Sequence, residues 1–303
     1  MAAQRATRLE KWLVVGPPLL YLLVFFAVPS LIMVLASFRT PGEFGGLAPL
    51  VEEGRLDLNL DSYARFFSES IYAEIFLKSM WYALLTTLFC LALAYPLTAL
   101  VARSQKRYRD LLLLLVILPF WSNFLIRVYA WMIILGPNAA LAKAVNGVLA
   151  WFGHEPVPLV FSSFAVLVCL VYVHLPFMVL PLYANLEKHD QALLDAAQDL
   201  GANAWQRFWR ITFPLSLPGV YAGAALVFIP ALGIFAIPDI LGGPEDSLIG
   251  NVIKQQFLET RDWPFGSVLS IVLTVAALAL AGLAAWIGRG NLGTPSSAKE
   301  ARA

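Results

Sequence analysis

The stretch Leu193–Pro218, LLDAAQDLGANAWQRFWRITFPLSLP, lies between two long apolar runs yet carries Asp195, Gln198, Asp199, Arg207 and Arg210. A helix crossing a bilayer does not carry that many charges together, so the stretch belongs in water beside the membrane. LLDAAQDL is built of helix formers, and Gly201 is a natural residue for leaving a helix through a left-handed turn. ANAWQRFWRI can form a second short helix, which Pro214 and Pro218 are expected to end. Trp205, Phe208 and Trp209 give that second helix more apolar surface than a free loop carries, so a protein partner or the membrane face is expected to cover it.

Working outward, the composition sets the class. At 59% hydrophobic and 14% charged, with mean hydropathy +0.72, the 303 residues hold too few charges to cover a soluble globule. Runs of about 20 apolar residues occur at roughly 12–37, 79–102, 111–135, 159–185, 219–240 and 265–287. The expected fold is all-α and polytopic, with six transmembrane helices and both termini on one side. Arg5, Arg8 and Lys11 precede the first run, but that run is longer than a signal-peptide core and no small-x-small site closes it; it reads as an uncleaved helix.

Basic residues set the orientation. Thirteen Lys and Arg fall on the side of the termini and of the Leu193–Pro218 stretch, seven fall on the other side, and Arg127 lies within a span. By the positive-inside rule the termini, 1–11 and 288–303, and the loop 186–218 are cytoplasmic. Thirteen of the 20 acidic residues fall on the outer side, and an acidic outer surface favours cations. The outer segment 38–78 contains LDLNLDSYARFF, read as a short surface helix with Asp61 as its N-cap; it either ties the first span to the second or receives a soluble binding protein.

Several spans carry polar or helix-breaking residues. In the third, Pro119 is expected to bend the helix near mid-membrane, next to Trp121, Ser122, Asn123, Arg127, Tyr129 and Trp131. Trp121 and Tyr129 are eight residues apart, which puts them on one helix face, and an aromatic face attracts an ammonium group. Trp121, Asn123, Tyr129 and Asp239 are therefore the substrate-pathway candidates. Asp239, after the breaks at Pro230, Gly233 and Pro238, either neutralises a passing amine or pairs with Arg127. His174 has no second His or acid one turn away, which argues against a proton relay or a metal site; Cys90 and Cys169 read as packing residues. No Gly-Lys-Ser/Thr phosphate loop occurs, so any nucleotide energy comes from another chain. No paired carboxylate or Ser/His constellation lies within the spans, so the chain is not expected to be an enzyme.

Asp195-Ala196-Ala197, Gly201, Ile211 and Pro214 stand in the spacing of the Glu-Ala-Ala, Gly, Ile, Leu-Pro loop of permeases in ATP-binding-cassette (ABC) importers, with Asp for Glu and Phe213 for Leu. The words LPFW, LPFM, IPDILGGPEDSLIGNVIKQQF and RDWPFG follow the order found in spermidine/putrescine permease subunits, which the chain resembles from about residue 12 to 287. The resemblance implies a type I importer fold, with a permease core over 79–287. Its cytoplasmic coupling loop would be formed by Asp195, Ala196, Ala197, Gly201, Ala202, Trp205, Phe208, Ile211 and Pro214. It further implies a bacterial inner-membrane location and three kinds of partner: a second homologous permease, a dimeric ATPase and a periplasmic substrate-binding protein. ATP and Mg would sit on the ATPase, with no cofactor on this chain and no nucleic-acid partner. The other readings are an ABC permease for a different small solute and a proton-driven carrier acting alone.

Overall fold

The computed structural model describes residues 2–49, 51–52, 55–56 and 58–291, with side chains over 12–49, 58–190 and 192–283. The flanking basic residues Arg5, Arg8, Lys11, Arg289, Lys299 and Arg302 lie outside the described side chains, as does the tail beyond 291. The chain forms two units, Met1–Ala73 with Val252–Val275, and Glu74–Asn251 with Ala276–Ala303.

In chain order the elements are α1 (Ala2–Leu22), α2 (Val28–Ala36), a two-residue antiparallel pairing of β1 (Val51–Glu52) with β2 (Arg55–Leu56), α3 (Asp61–Ser68) and α4 (Ser70–Arg103). There follow α5 (Lys106–Ile117), α6 (Phe124–Ile134), α7 (Ala140–Trp151), α8 (Ser163–Leu186), α9 (Gln191–Asp199) and α10 (Ala204–Arg207). The chain closes with α11 (Phe213–Leu232), α12 (Ala236–Leu241), α13 (Ile249–Leu258) and α14 (Trp263–Asn291). Five stretches are long and apolar enough to cross a membrane: Trp12–Ala36, Ser70–Arg103, Ser163–Leu186, Ala204–Leu232 and Trp263–Leu283. A bent pair, Lys106–Trp121 and Phe124–Ile134, which meet at 94°, is long and apolar enough only when its two arms are taken together.

That bend is sharper than a proline kink. Pro119 opens a 3-10 turn, Leu118–Trp121, Ser122 is extended (ψ 152°), and the Asn123 side chain caps α6 by accepting from the Leu125 amide at 2.8 Å. Trp121 and Tyr129 therefore stand on two differently directed segments, and the eight-residue spacing does not put them on one face. In the first crossing α1 runs through Pro17 and Pro18, and a π turn over Leu23–Ala27 joins it to α2. The extra residue of a π turn lets the helix absorb a shift in hydrogen-bond register without breaking.

In the first unit Arg65 is the hub. Its guanidinium donates to Glu69 at 3.2 Å, Asp262 at 3.2 Å and the Tyr72 hydroxyl at 3.0 Å, and lies 4.3 Å from the Phe265 ring centre. Burial of Arg65 by itself favours the neutral form, but Tyr72, Glu69 and Asp262 outweigh it and hold the guanidinium above its ordinary pKa. Asp262 also caps α14 by accepting from the Phe265 amide at 3.1 Å. The N-cap position of α3 is Leu60 rather than Asp61, which falls in the first turn; Asn59 accepts the Asp61 amide at 3.3 Å.

In the second unit α8 packs on α11 more extensively than any other helix pair. Small residues permit it: a Cβ on Gly223 would lie 2.6 Å from the Met178 sulfur, and one on Gly219 would lie 2.7 Å from the Asn185 Cβ. Two apolar clusters fill this unit. One holds Cys169, Leu170, Ile237 and Leu241 near the start of α8, and the other holds Cys90, Met178, Leu182 and Val227 further along it. Both cysteines are free and buried, as packing residues are, and the His174 ring bonds the Leu170 carbonyl of its own helix at 2.8 Å.

Candidate functional site

The elbow between α8 and α11 is held by local hydrogen bonds. Asp190 caps α9 by accepting from the Ala192 amide at 2.9 Å. Gly201 then takes φ +84°, its amide donates to the Gln198 carbonyl at 2.8 Å, and the Ala202 amide donates to Ala197 at 2.9 Å. This pair of bonds is a Schellman motif, which satisfies the last carbonyls of α9 and needs a residue at ease with positive φ. Two residues later Asn203 and Gln206 form a reciprocal capping box, with bonds of 2.8 and 3.0 Å, that starts α10. An Arg207 guanidinium N–H donates to Gln198 Oε1 at 2.6 Å and ties the two arms together.

The second arm does not stop at the prolines. A π turn over Phe208–Thr212 carries α10 into α11, with Pro214 in its first turn and Pro218 inside it, so Ala204–Leu232 is one continuous helical stretch. The expectation that Pro214 and Pro218 end the helix is corrected here: the amide Pro214 lacks falls beside the π turn, where register already slips. The elbow's second arm is therefore continuous with a crossing helix.

A ring cluster anchors the elbow to the bundle. Trp205, Phe208, Trp209 and Phe213 form successive contacts with centroids 5.0 to 6.4 Å apart, and Tyr95 of α4 packs on Phe208 at 5.3 Å while its hydroxyl bonds Ser216 at 2.9 Å. The sequence pattern did not single out Tyr95, since an aromatic in an apolar run signals nothing by itself. On the outward side the elbow remains bare: Leu200 is 88% and Trp205 70% exposed, and Asp195, Ala196 and Gly201 are exposed with them. Ala202 and Ile211 are half-buried, and Pro214 is exposed.

The pathway candidates are not brought together in one cluster. Trp121 is 75% exposed at the end of the 3-10 turn, Asn123 serves as a helix cap, and Tyr129 is exposed on α6. Arg127 lays its guanidinium over Phe120 at 5.0 Å and Phe124 at 5.9 Å. Asp239 lies in the first turn of α12 and accepts from Asn251 Nδ2, which also donates to the Phe235 carbonyl at 2.9 Å; Asn251 Oδ1 accepts from the Leu248 amide at 3.0 Å.

At the other end of α8 lies a polar clasp that sequence reading had counted as surface acidity. Asp246 is only 6% exposed. It accepts from Ser163 Oγ at 2.5 Å, Tyr82 OH at 3.2 Å and the Gly243 amide at 2.9 Å, with Lys78 Nζ at 4.0 Å. Lys78 also donates to the Glu245 carbonyl, and Ser79 accepts the Ile249 amide at 2.7 Å. The loop 242–248 is thereby fastened to α4 and α8. The acidic excess of that side is smaller at the surface than its sequence count, because Asp246 is an interior ligand of its own chain. No group of three or more His, Cys, Asp or Glu able to hold a metal occurs among the described residues.

The comparisons with known proteins match this architecture. The family model "Binding-protein-dependent transport system inner membrane component" matches residues 94–290, from α4 to the end of α14 and across the whole elbow. The chain belongs to this family. The family's description as an inner membrane component agrees with the five long apolar helices and the bent pair of a multi-pass membrane protein. Two curated relatives are called spermidine/putrescine transport system permease protein PotB. The one from Salmonella typhimurium (strain SL1344) is 44% identical over 257 residues, covering 84% of this chain and 85% of its own. The one from Haemophilus influenzae is 40% identical over 257 residues, covering 84% and 86%. Among solved structures, a chain of a bacterial alginate ABC transporter in complex with alginate pentasaccharide-bound periplasmic protein superposes with TM-score 0.74 at 19% identity, covering 97% of this chain and 98% of that one. At that identity the likeness is one of fold, and the fold is that of an ABC importer permease.

Proposed function

We propose that this permease is the membrane subunit of an ATP-driven, binding-protein-dependent importer of polyamines, spermidine or putrescine, working by alternating access. The observation that carries the coupling half of this reading is the elbow: a rigid turn in family register, bare on its outward face and continuous with a crossing helix through the π turn. In this reading a separate dimeric ATPase, holding ATP and Mg, seats Asp195, Ala196, Ala197, Gly201, Ala202, Trp205 and Phe208 in its own groove, with Ile211 and Pro214 carrying the motion into α11. ATP binding then moves the elbow and opens the bundle outward, and hydrolysis resets it. This chain makes and breaks no covalent bond. A second, homologous permease completes the path, and a periplasmic binding protein delivers substrate to the side opposite the elbow. The elbow and both termini are cytoplasmic, as the distribution of Lys and Arg supports, and the membrane is the bacterial inner membrane.

The polyamine half rests on the two relatives named above, which match over most of both chains. Polyamines are polycations at neutral pH, and Trp121, Asn123, Tyr129 and Asp239 remain the residues proposed to meet them, the aromatics by attraction to ammonium groups. Uptake of labelled spermidine and putrescine into cells lacking this subunit tests the substrate. Saturable uptake is expected to vanish and to return with the gene. Undiminished polyamine uptake rejects the substrate; transport by the purified chain in vesicles with a pH gradient and no ATPase rejects the importer itself.

A further inference from the structure

At the end of α8 opposite the elbow, the Asp246 clasp already holds an ammonium group. Lys78 Nζ donates to the Glu245 carbonyl and lies 4.0 Å from Asp246 Oδ1. The groups that donate to this carboxylate, Ser163 Oγ, Tyr82 OH and the Gly243 amide, are all neutral, and the one ion pair it makes among the described residues is with Lys78. A buried carboxylate needs a cation beside it. Lys78, whose side chain is 34% exposed, supplies one from the solvent side and is held there only weakly. Replacing this ammonium with another keeps the buried charge matched and adds no desolvation. The lysine side chain is an aminobutyl arm, the same unit that makes up putrescine and one end of spermidine. A second observation lies beside the clasp. Phe161 takes φ +55°, a left-handed conformation that is costly for a bulky side chain, yet its ring is 59% exposed, so burial of the ring does not offset that cost. The surrounding loop fixes it: the Ser162 amide donates to the Leu241 carbonyl at 3.1 Å, and a Cβ on Gly243 would lie 2.9 Å from the Phe161 carbonyl oxygen and 3.3 Å from Asp246 Oδ2. Strain without a packing return is characteristic of functional positions, and an aromatic face attracts ammonium groups.

We propose that the mouth of this clasp is a binding site for the terminal ammonium of an alkylamine substrate, a site that Lys78 fills in this structure. The incoming ammonium replaces Lys78 Nζ on the Glu245 carbonyl and beside Asp246, and the Phe161 ring meets it from the rim. This rests on the polyamine reading above and deepens it by naming where the substrate first meets this chain, on the side opposite the elbow. Lys78 then turns out into water. That unties the charged link between α4 and the loop 242–248, while Tyr82 and Ser163 keep their hold on the carboxylate, so arrival of substrate loosens the loop. A metal cation would also answer the charge, but hard metal ions gather about six oxygens, whereas this mouth offers one carboxylate and one carbonyl, which suit the N–H donors of an ammonium.

The test uses the complex of permease pair and ATPase in lipid nanodiscs without the binding protein, so that binding of labelled putrescine reports on the membrane subunits. Lys78→Met removes the resident ammonium and is expected to tighten binding roughly two- to fivefold, the weight of a half-exposed ion pair; Lys78→Arg, which keeps a cation, is expected not to. Added to Lys78→Met, Asp246→Asn is expected to weaken binding at least about tenfold, and Phe161→Leu about two- to fivefold. Butylamine, a single aminobutyl group, is expected to displace the label and to raise the thermal midpoint of the Lys78→Met complex more than that of the unaltered one, which a purely structural lysine would not produce. Binding no tighter in Lys78→Met overturns the site, and that result stands whether or not Asp246→Asn folds. Displacement by potassium chloride as effective as by butylamine at equal ionic strength overturns it as well. The site and the substrate fail separately. If polyamine uptake depends on this subunit and Lys78→Met binds as before, the site falls and the substrate stands. If Lys78→Met gains affinity for butylamine while polyamine uptake is independent of the subunit, the ammonium site stands and the substrate is another amine.

Discussion

The two ends of α8, separated by 24 residues and so by about 36 Å along the helix axis, treat polar groups in opposite ways. At the Asp246 end every donor around the carboxylate comes from this chain, and the side chain is all but sealed. At the elbow the backbone turns are closed by Schellman bonds and a capping box, while Asp195, Trp205 and Leu200 are exposed. One end is closed on itself and the other is finished only in its main chain. A buried, saturated clasp fastens the loop 242–248 to α4 and α8. A rigid backbone carrying bare side chains is what a surface needs when its partner is a separate protein, because ordering the loop in advance removes an entropic cost from docking.

The comparison breaks most visibly if Asp246→Ala is tolerated. The substitution leaves the Tyr82, Ser163 and Gly243 donors without their acceptor, and each buried unsatisfied donor costs about 1 to 3 kcal/mol. Lys78 is a third exposed, so its lost ion pair adds little. A total loss of about 3 kcal/mol is expected, seen as a clear fall in the thermal midpoint of the detergent-solubilised chain, with Asp246→Asn falling less because it keeps an acceptor oxygen. An unchanged midpoint would mean that water enters the clasp and that the two ends differ less than the geometry says.

Gly201→Val gives the middle-sized effect and should behave in the opposite manner. Nothing lies within 4 Å of a Cβ built at Gly201, so no clash arises; the cost is the positive φ alone, about 1 to 2 kcal/mol. That strain is confined to the turn. The thermal midpoint should barely move, whereas ATP-driven uptake by the assembled importer should drop severalfold, and Gly201→Asn, a residue that tolerates this conformation, should restore most of it. A variant that lowers the midpoint and leaves uptake intact would reverse the assignment of the two ends.

How far the fold could be read from residues follows the same division. The elbow was legible because its determinants are local: a glycine at the turn, an Asx cap, charges where no crossing helix carries them. The crossings were legible because apolar run length is a composition signal. Hidden were the features made by pairing distant residues. Asp246 counts as outer acidity in a tally of charges, and only the approach of Lys78, Tyr82 and Ser163 turns it into an interior ligand. The words IPDILGGPEDSLIGN and RDWPFG, which carried the resemblance to polyamine permeases, supply Asp246, Asn251 and Asp262, and all three bond their own chain. Helix α7 escaped because its 12 residues fall below the length of a crossing. Proline was over-read at Pro214 and under-read at Pro119, since a π turn accommodates one and an extended Ser122 exploits the other. Trp121 and Tyr129 were placed on one face by a periodicity that the 94° bend interrupts.

The smallest expected effect is the sharpest probe of whether the elbow's stiffness belongs to this chain. Asn203→Ala removes the side-chain half of the capping box at the Gln206 amide and frees the Gln206 side chain from its return bond to the Asn203 amide. Loss of such a cap costs about 1 kcal/mol, which is too little to unfold the bundle but enough to raise local opening of the first turn of α10 roughly fivefold. Hydrogen exchange at the Gln206 and Arg207 amides of the isolated permease should therefore quicken by that factor, with α8 and α11 unaffected, and Asn203→Asp should reverse it. The same measurement with the ATPase bound separates two sources of rigidity. If the quickening persists, the turn is stiff by its own bonds and transmits force as a lever. If the bound partner abolishes it, the partner supplies the stiffness, and the contrast with the Asp246 clasp then extends from the side chains of the elbow to its backbone.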